Sequence, residues 1–162
     1  MCRELPGMLA YASGKFLGLK VNTNASILTE DRCHALLSNG VGTLVFSADA
    51  AEEPLYSQLR VNGKLDRVLR NIERFERIRQ DQYPTSSLIT RVSGVYVNED
   101  QDLSKMIQLW GSLVDEISFV RYNPWENVYH APNSNISTAC SDLWRRTFVW
   151  FDGSVNPCDT DY

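Results

Sequence analysis

The side chains that could do chemistry gather in a few short polar runs. These are Asn22-Thr23-Asn24-Ala25, Ser47-Ala48-Asp49-Ala50, Val97-Asn98-Glu99 and Arg121-Tyr122-Asn123. They offer hydroxyls, carboxamides and a few charges, a set better suited to holding a polar ligand than to nucleophilic hydrolysis. The two histidines, His34 and His130, stand apart from these runs, so a histidine-based triad has little support. No glycine fingerprint for a dinucleotide or phosphate loop is present. The four cysteines are Cys2, Cys33, Cys140 and Cys158, too few for a disulfide scaffold in a chain of 162 residues. Cys33 falls in an apolar helical stripe and is expected to be a small buried hydrophobe. Cys140 and Cys158 flank an aromatic, glycine-containing stretch. Buried thiols and a disulfide are the alternatives there, and a reducing setting favours thiolate ligation.

The elements that must position these residues follow from periodicity. Leu5, Met8, Leu9 and Ala12 recur at helical spacing, and Ser13-Gly14 ends the run. Leu17 to Asn22 alternates as a strand. Thr29 is an N-cap candidate for a helix through Ser38, and Asn39-Gly40 offers a left-handed stop. Thr43-Leu44-Val45-Phe46 is apolar at consecutive positions, as in a strand covered on both faces. Leu65, Val68, Leu69, Ile72, Phe75 and Ile78 form the clearest helical stripe. Leu88 to Val97 reads as a strand kinked at Gly94. A helix carrying Leu103, Met106, Ile107, Trp110 and Leu113 follows, then a strand over Ile117–Val120. The order is α-βα-βα-βα-β, and strict alternation predicts parallel strands joined by right-handed crossovers. In such sheets ligands meet the carboxyl ends of the strands, where the polar runs lie. Beyond Asn123-Pro124-Trp125 the texture changes, and Arg146 to Val155 reads as two short strands around Asp152-Gly153. The repeat opens on a helix with no strand before it, which reads as the middle of a larger α/β array.

Composition narrows the classes. With 43% apolar and 10% aromatic residues the chain has core-forming material. A net charge of −4 argues against a dedicated nucleic-acid partner. No apolar run of about 18 residues could span a membrane, and no export signal precedes the first helix. A cytoplasmic location is expected. Arg67, Arg70, Arg74 and Arg77 form a basic stripe, but Asp66, Glu73 and Glu76 interleave it, so a solvated, ion-paired helix face is expected.

Several of these residues carry a family likeness. Thr23-Asn24-Ala25 followed by Leu28 resembles the "TNA" segment of radical S-adenosylmethionine (radical SAM) enzymes. Phe46-Ser47-Ala48-Asp49-Ala50 resembles their "S-[IL]-D" strand end. Tyr56, Arg60 and Gly63, leading into Leu65-Asp66-Arg67-Val68, resemble their "Y-x-x-x-R-x-x-G-x-[FL]-[DE]-x-V" segment. In the tail, Cys140, Gly153 and Cys158 stand as C-x12-G-x4-C within Leu143-Trp144, Phe148-Val149-Trp150 and Asp152 to Cys158, which resembles the opening of a SPASM domain, the extension that holds auxiliary iron–sulfur clusters.

The resemblance implies an α/β fold: a partial (β/α) TIM-like barrel of about four parallel strands over 1–126, followed over 127–162 by a linker and a truncated SPASM start. It implies that Ser47 and Arg60 hold the carboxylate of S-adenosylmethionine, which a hydroxyl and an arginine fork suit chemically. Thr23, Asn24 and Asp49 match positions lining cofactor or substrate, with a turn-capping role for Thr23 and Asn24 and a helix N-cap for Asp49 as the alternative. Cys140 and Cys158 match cluster ligands. The family's C-x3-C-x2-C loop and Gly-Gly-Glu-Pro segment are absent from this sequence. The expectation is therefore a fragment of a parent enzyme. That parent would cleave S-adenosylmethionine to a 5′-deoxyadenosyl radical and abstract hydrogen from a peptide or small molecule, using [4Fe–4S] clusters. The chain alone is expected to be inactive and to hold no cluster or cofactor stably. A non-catalytic α/β binding or scaffold remnant is the alternative.

Overall fold

A computed structural model describes residues 3–122, 139–144, 147–150 and 152–156. The chain divides into two units, Met1–Tyr122 and Asn123–Tyr162.

The first unit runs α1 (Leu5–Ala12), β1 (Leu19–Thr23), α2 (Glu30–Ser38), β2 (Val41–Ser47), α3 (Glu53–Leu59), α4 (Leu65–Gln82), β3 (Ile89–Tyr96), α5 (Leu103–Gly111) and β4 (Glu116–Arg121). The four strands form one sheet in the order β1-β2-β3-β4, and every pair is parallel. The predicted alternation is correct in order and sense, with one omission. The short helix α3 was not expected, because seven residues with Pro54 in the first turn carry no sustained apolar stripe. Gly94 marks no break: β3 continues through it. Thr29 precedes α2 as expected, but its side chain accepts no capping hydrogen bond. Gly40 adopts φ +71 beyond α2, as a left-handed stop requires.

The core lies between the sheet and the helices. Helix α4 presents Leu65, Val68, Ile72, Phe75 and Ile78, all buried, and Phe75 meets Phe46 of β2 edge to face at 6.1 Å. Helix α5 contributes Met106 and Trp110, and α2 contributes Cys33, Leu36 and Leu37. Leu44, Val45 and Phe46 are all buried, as consecutive apolar residues in an interior strand must be. Each such side chain contributes roughly 1.5–3 kcal/mol.

The basic stripe on α4 is less uniform than expected. Arg70 pairs with Asp66, but Arg74 turns inward, its Nη2 donating to the Leu28 carbonyl and to Asn71 Oδ1. Arg79 ties α4 to the amino ends of β3 and β4. It donates to both oxygens of Asp115 at 2.6 and 2.9 Å, to the Leu88 carbonyl at 2.9 Å, and pairs with Glu76 at 2.7 Å. Asp115 also accepts from the Thr90 backbone and hydroxyl. Held by Arg79 first and by Thr90, its carboxyl is lowered from 3.8 to about 2. Burial pushes Glu76 the other way.

In the second unit, Ser141–Trp144 forms a 3-10 turn, and β5 (Phe148–Val149) pairs antiparallel with β6 (Val155–Asn156), matching the expected hairpin. Gly153 adopts φ +87 in its turn, and Asp152 Oδ1 accepts from the backbone and hydroxyl of Ser154.

Candidate functional site

Five of the seven predicted site residues stand at the carboxyl ends of β1 and β2 or on the segments that leave them. At the end of β1, Thr23 Oγ1 accepts from the Ala25 backbone at 3.1 Å, and Asn24 Oδ1 accepts from the Ser26 backbone at 3.1 Å. These two turns hold Ala25 at φ +57, fully buried, and Asn71 Nδ2 from α4 donates to its carbonyl at 2.7 Å. The side-chain oxygens of Thr23 and Asn24 thus brace the loop in turns, while the Thr23 hydroxyl proton and Asn24 Nδ2 have no partner among the described residues.

Asp49 does not N-cap a helix; Glu52 holds that position for α3. It is buried, and both carboxylate oxygens are engaged. Oδ1 accepts from the Val95 backbone at 2.8 Å, and Oδ2 accepts from Arg60 Nε at 2.5 Å. This placement depends on Gly94. A Cβ there would stand 2.1 Å from the Ala48 carbonyl oxygen, so only glycine lets the tail of β2 cross so close to β3. The Ala48 backbone N–H then donates to Ser93 at 3.0 Å, extending the ladder by one bond.

Arg60 follows α3, and the spacing of Tyr56, Arg60 and Gly63 has a packing cause. The Arg60 backbone N–H donates to Tyr56, and Gly63 donates to Arg60. A Cβ on Gly63 would lie 2.7 Å from the Arg60 carbonyl and 3.0 Å from the buried Tyr56 ring. The turn that sets down Arg60 therefore requires glycine three residues on. Asp49 occupies only the Nε side of the guanidinium, and Nη1 and Nη2 have no partner among the described residues. Ser47, half-buried and paired in register with Ser93, likewise has a hydroxyl with no partner among the described residues. The structure thus grades the five: Asp49 has both carboxylate oxygens engaged, Thr23 and Asn24 use their side-chain oxygens to brace the loop, and Ser47 and the terminal nitrogens of Arg60 keep every donor without a partner among the described residues. Two donors of this kind fit a carboxylate.

Gln101 carries no signal in the sequence and is central here. It is 2% exposed and lies just before α5. Its Nε2 donates to the Asp49 and Val95 carbonyls at 2.6 and 2.7 Å, and its Oε1 accepts from the Val97 and Asn98 backbones at 2.5 and 3.2 Å. A polar run after a strand was visible; a long-range clamp within it was not.

Cys140 is exposed and free in the second unit, while Cys158 lies outside the described residues. Among the described residues no group of three His, Cys, Asp or Glu could hold a metal ion. The sequence has no C-x3-C-x2-C loop either, so the residues present do not fit a radical-generating [4Fe–4S] cluster.

No family model matches this sequence, and no curated protein matches it. Solved structures do. The chain is similar to Streptococcus suis SuiB bound to precursor peptide SuiA, with TM-score 0.58 and 18% identity over 74% of this chain and 26% of that one. It is similar to SuiB bound to S-adenosylmethionine, with TM-score 0.57 and 18% identity over 73% and 26%. A third SuiB crystal structure gives TM-score 0.58 and 17% identity over 85% and 29%. The chain spans little more than a quarter of SuiB's length. At these identities the likeness concerns the fold: four parallel strands with helices, as in part of the TIM-like barrel of radical SAM enzymes.

Proposed function

We propose that this chain is the S-adenosylmethionine-binding part of a radical SAM-type enzyme. The observation that carries the reading is the open fork of Arg60, gripped at Nε by Asp49 two residues beyond β2, with Ser47 Oγ at the last position of β2 also without a partner among the described residues. They stand in a fold shared with a radical SAM enzyme that has been solved with S-adenosylmethionine. Arg60 would hold the α-carboxylate of that molecule through its free fork, with Ser47 donating a third hydrogen bond. Asp49 keeps the guanidinium in place and shares its charge. In a parent enzyme that supplied a reducing cluster, the bound sulfonium would be the source of the radical used for hydrogen abstraction from a peptide or small molecule. This sequence provides no ligands for that cluster, so the role of the chain's own residues is to bind and orient. Cys140 and Cys158 would serve an auxiliary cluster only with further thiolates, since such clusters take four.

Isothermal titration of the purified chain with S-adenosylmethionine tests the reading. Weak but saturable binding is expected, since the chain alone brings no cluster to hold the cofactor stably, and it should weaken further by about tenfold or more in Arg60→Ala, from the loss of hydrogen bonds to a charged group. Binding that is absent, or indifferent to Arg60, sinks it.

A further inference from the structure

We infer that Gln101 is a positioning residue for the ligand site, acting through Asp49 on Arg60; this rests on the binding role given above to Arg60. A glutamine amide has two N–H donors and an oxygen with two lone pairs. All four capacities are used, on four different backbone groups. An apolar residue of similar volume could fill the same buried space, and a glutamate would turn acceptors toward two carbonyls. The site therefore uses the amide specifically, and what it holds identifies its role. One bond reaches across 52 positions of sequence to the carbonyl of Asp49. Two others close the loop after β3 on the Val97 and Asn98 amides, and a fourth takes Val95, whose own N–H binds Asp49 Oδ1. Asp49 is thus fixed at its carbonyl and at one carboxylate oxygen. Its other oxygen grips Arg60 Nε and leaves the two terminal nitrogens as the open fork.

A bidentate fork recognises a carboxylate only when its plane is fixed, because both N–H groups must align at once. Gln101 supplies that fixity without touching ligand. Its effect must then fall on ligands bearing a carboxylate and on no others.

Titration of the full chain with S-adenosylmethionine and with 5′-methylthioadenosine, which lacks the amino-acid part, reads this difference. In Gln101→Met, affinity for S-adenosylmethionine is expected to fall about tenfold, while affinity for methylthioadenosine stays within about twofold. Combined with Arg60→Ala, the substitution should cost nothing further, since both act through one group. Gln101→Asn, which keeps the amide but shortens its reach, carries the same expectation if Gln101→Met does not fold. Equal losses for both ligands, or effects that multiply in the double variant, would show a purely structural clamp and overturn the inference. An Arg60-dependent site indifferent to Gln101 overturns the inference alone. Failure of the wild-type chain to bind S-adenosylmethionine overturns the site reading and this inference together.

Discussion

Replacing Gly94 with alanine probes the crossing on which the candidate site depends. The new methyl would stand 2.1 Å from the Ala48 carbonyl oxygen and 3.0 Å from the Phe119 ring. The first obstacle is backbone and cannot rotate away. Either the tail of β2 lifts from β3, or β3 bends. Lifting breaks the bond from the Ala48 N–H to Ser93 and the bond from the Val95 N–H to Asp49. Those are worth about 1 kcal/mol for the neutral bond and about 1.5–3 for the charged one, and overpacking adds about 1–3 kcal/mol. A net loss of about 3.5–7 kcal/mol is expected, against a total of about 5–15 for a domain of this kind. At about 4 °C per kcal/mol the melting temperature should drop by about 14–28 °C. Urea unfolding followed by far-ultraviolet circular dichroism gives the number. Gly111→Ala is the control: it ends α5 with no atom within 4 Å of the added methyl, and should be neutral or stabilising by up to about 1 kcal/mol. If Gly94→Ala stays within about 0.5 kcal/mol of the wild type, the usual range of a featureless surface change, the close crossing of β2 over β3 is wrong.

Two further outcomes follow from charge and burial. Asp115 has a folded-state pKa of about 2 against 3.8, so its contribution is present above about pH 4 and lost as pH falls toward 2. The full shift corresponds to about 2.4 kcal/mol. With its side chain 39% exposed, screening reduces this to about 1–1.5 kcal/mol. Asp115→Asn should remove that part of the acid dependence in urea titrations between pH 5 and 2 (a window set by the cited shift), and an unchanged slope would refute it. The thiols should differ sharply: Cys33 is fully buried with its pKa pushed up to about 11 by desolvation, while Cys140 is exposed. Iodoacetamide at neutral pH followed by mass spectrometry should label Cys140 and leave Cys33 until the chain is unfolded; native labelling of Cys33 would contradict its burial.

The sheet was legible because its signals are local. Consecutive burial at Leu44–Phe46 and the stripe from Leu65 to Ile78 depend on near neighbours, so periodicity finds them. Helix α3 escaped because Glu53–Leu59 is too short to show a period, yet it buries Tyr56 and ends at Arg60. The inward turn of Arg74 escaped because its partner, the Leu28 carbonyl, lies 46 positions away. The candidate site divides the same way. Thr23 and Asn24 could be read as turn residues from their own dipeptide. The engagement of Asp49 and the clamp at Gln101 are long-range contacts between residues whose types say only "polar".

The order β1-β2-β3-β4 also bears on how the first unit is made. Among the described residues each strand pairs only with its neighbours in sequence, through partners such as Leu19 with Val41, Thr43 with Ile89 and Arg91 with Glu116. No ladder waits for a strand from the far end of the unit, so loop-closure entropy is met in modest steps. A chain emerging from the ribosome can lay down β2 on β1, then β3, then β4, each on an edge already formed. Gln101 emerges after β3, so the tail of β2 acquires its clamp only once the third strand is in place.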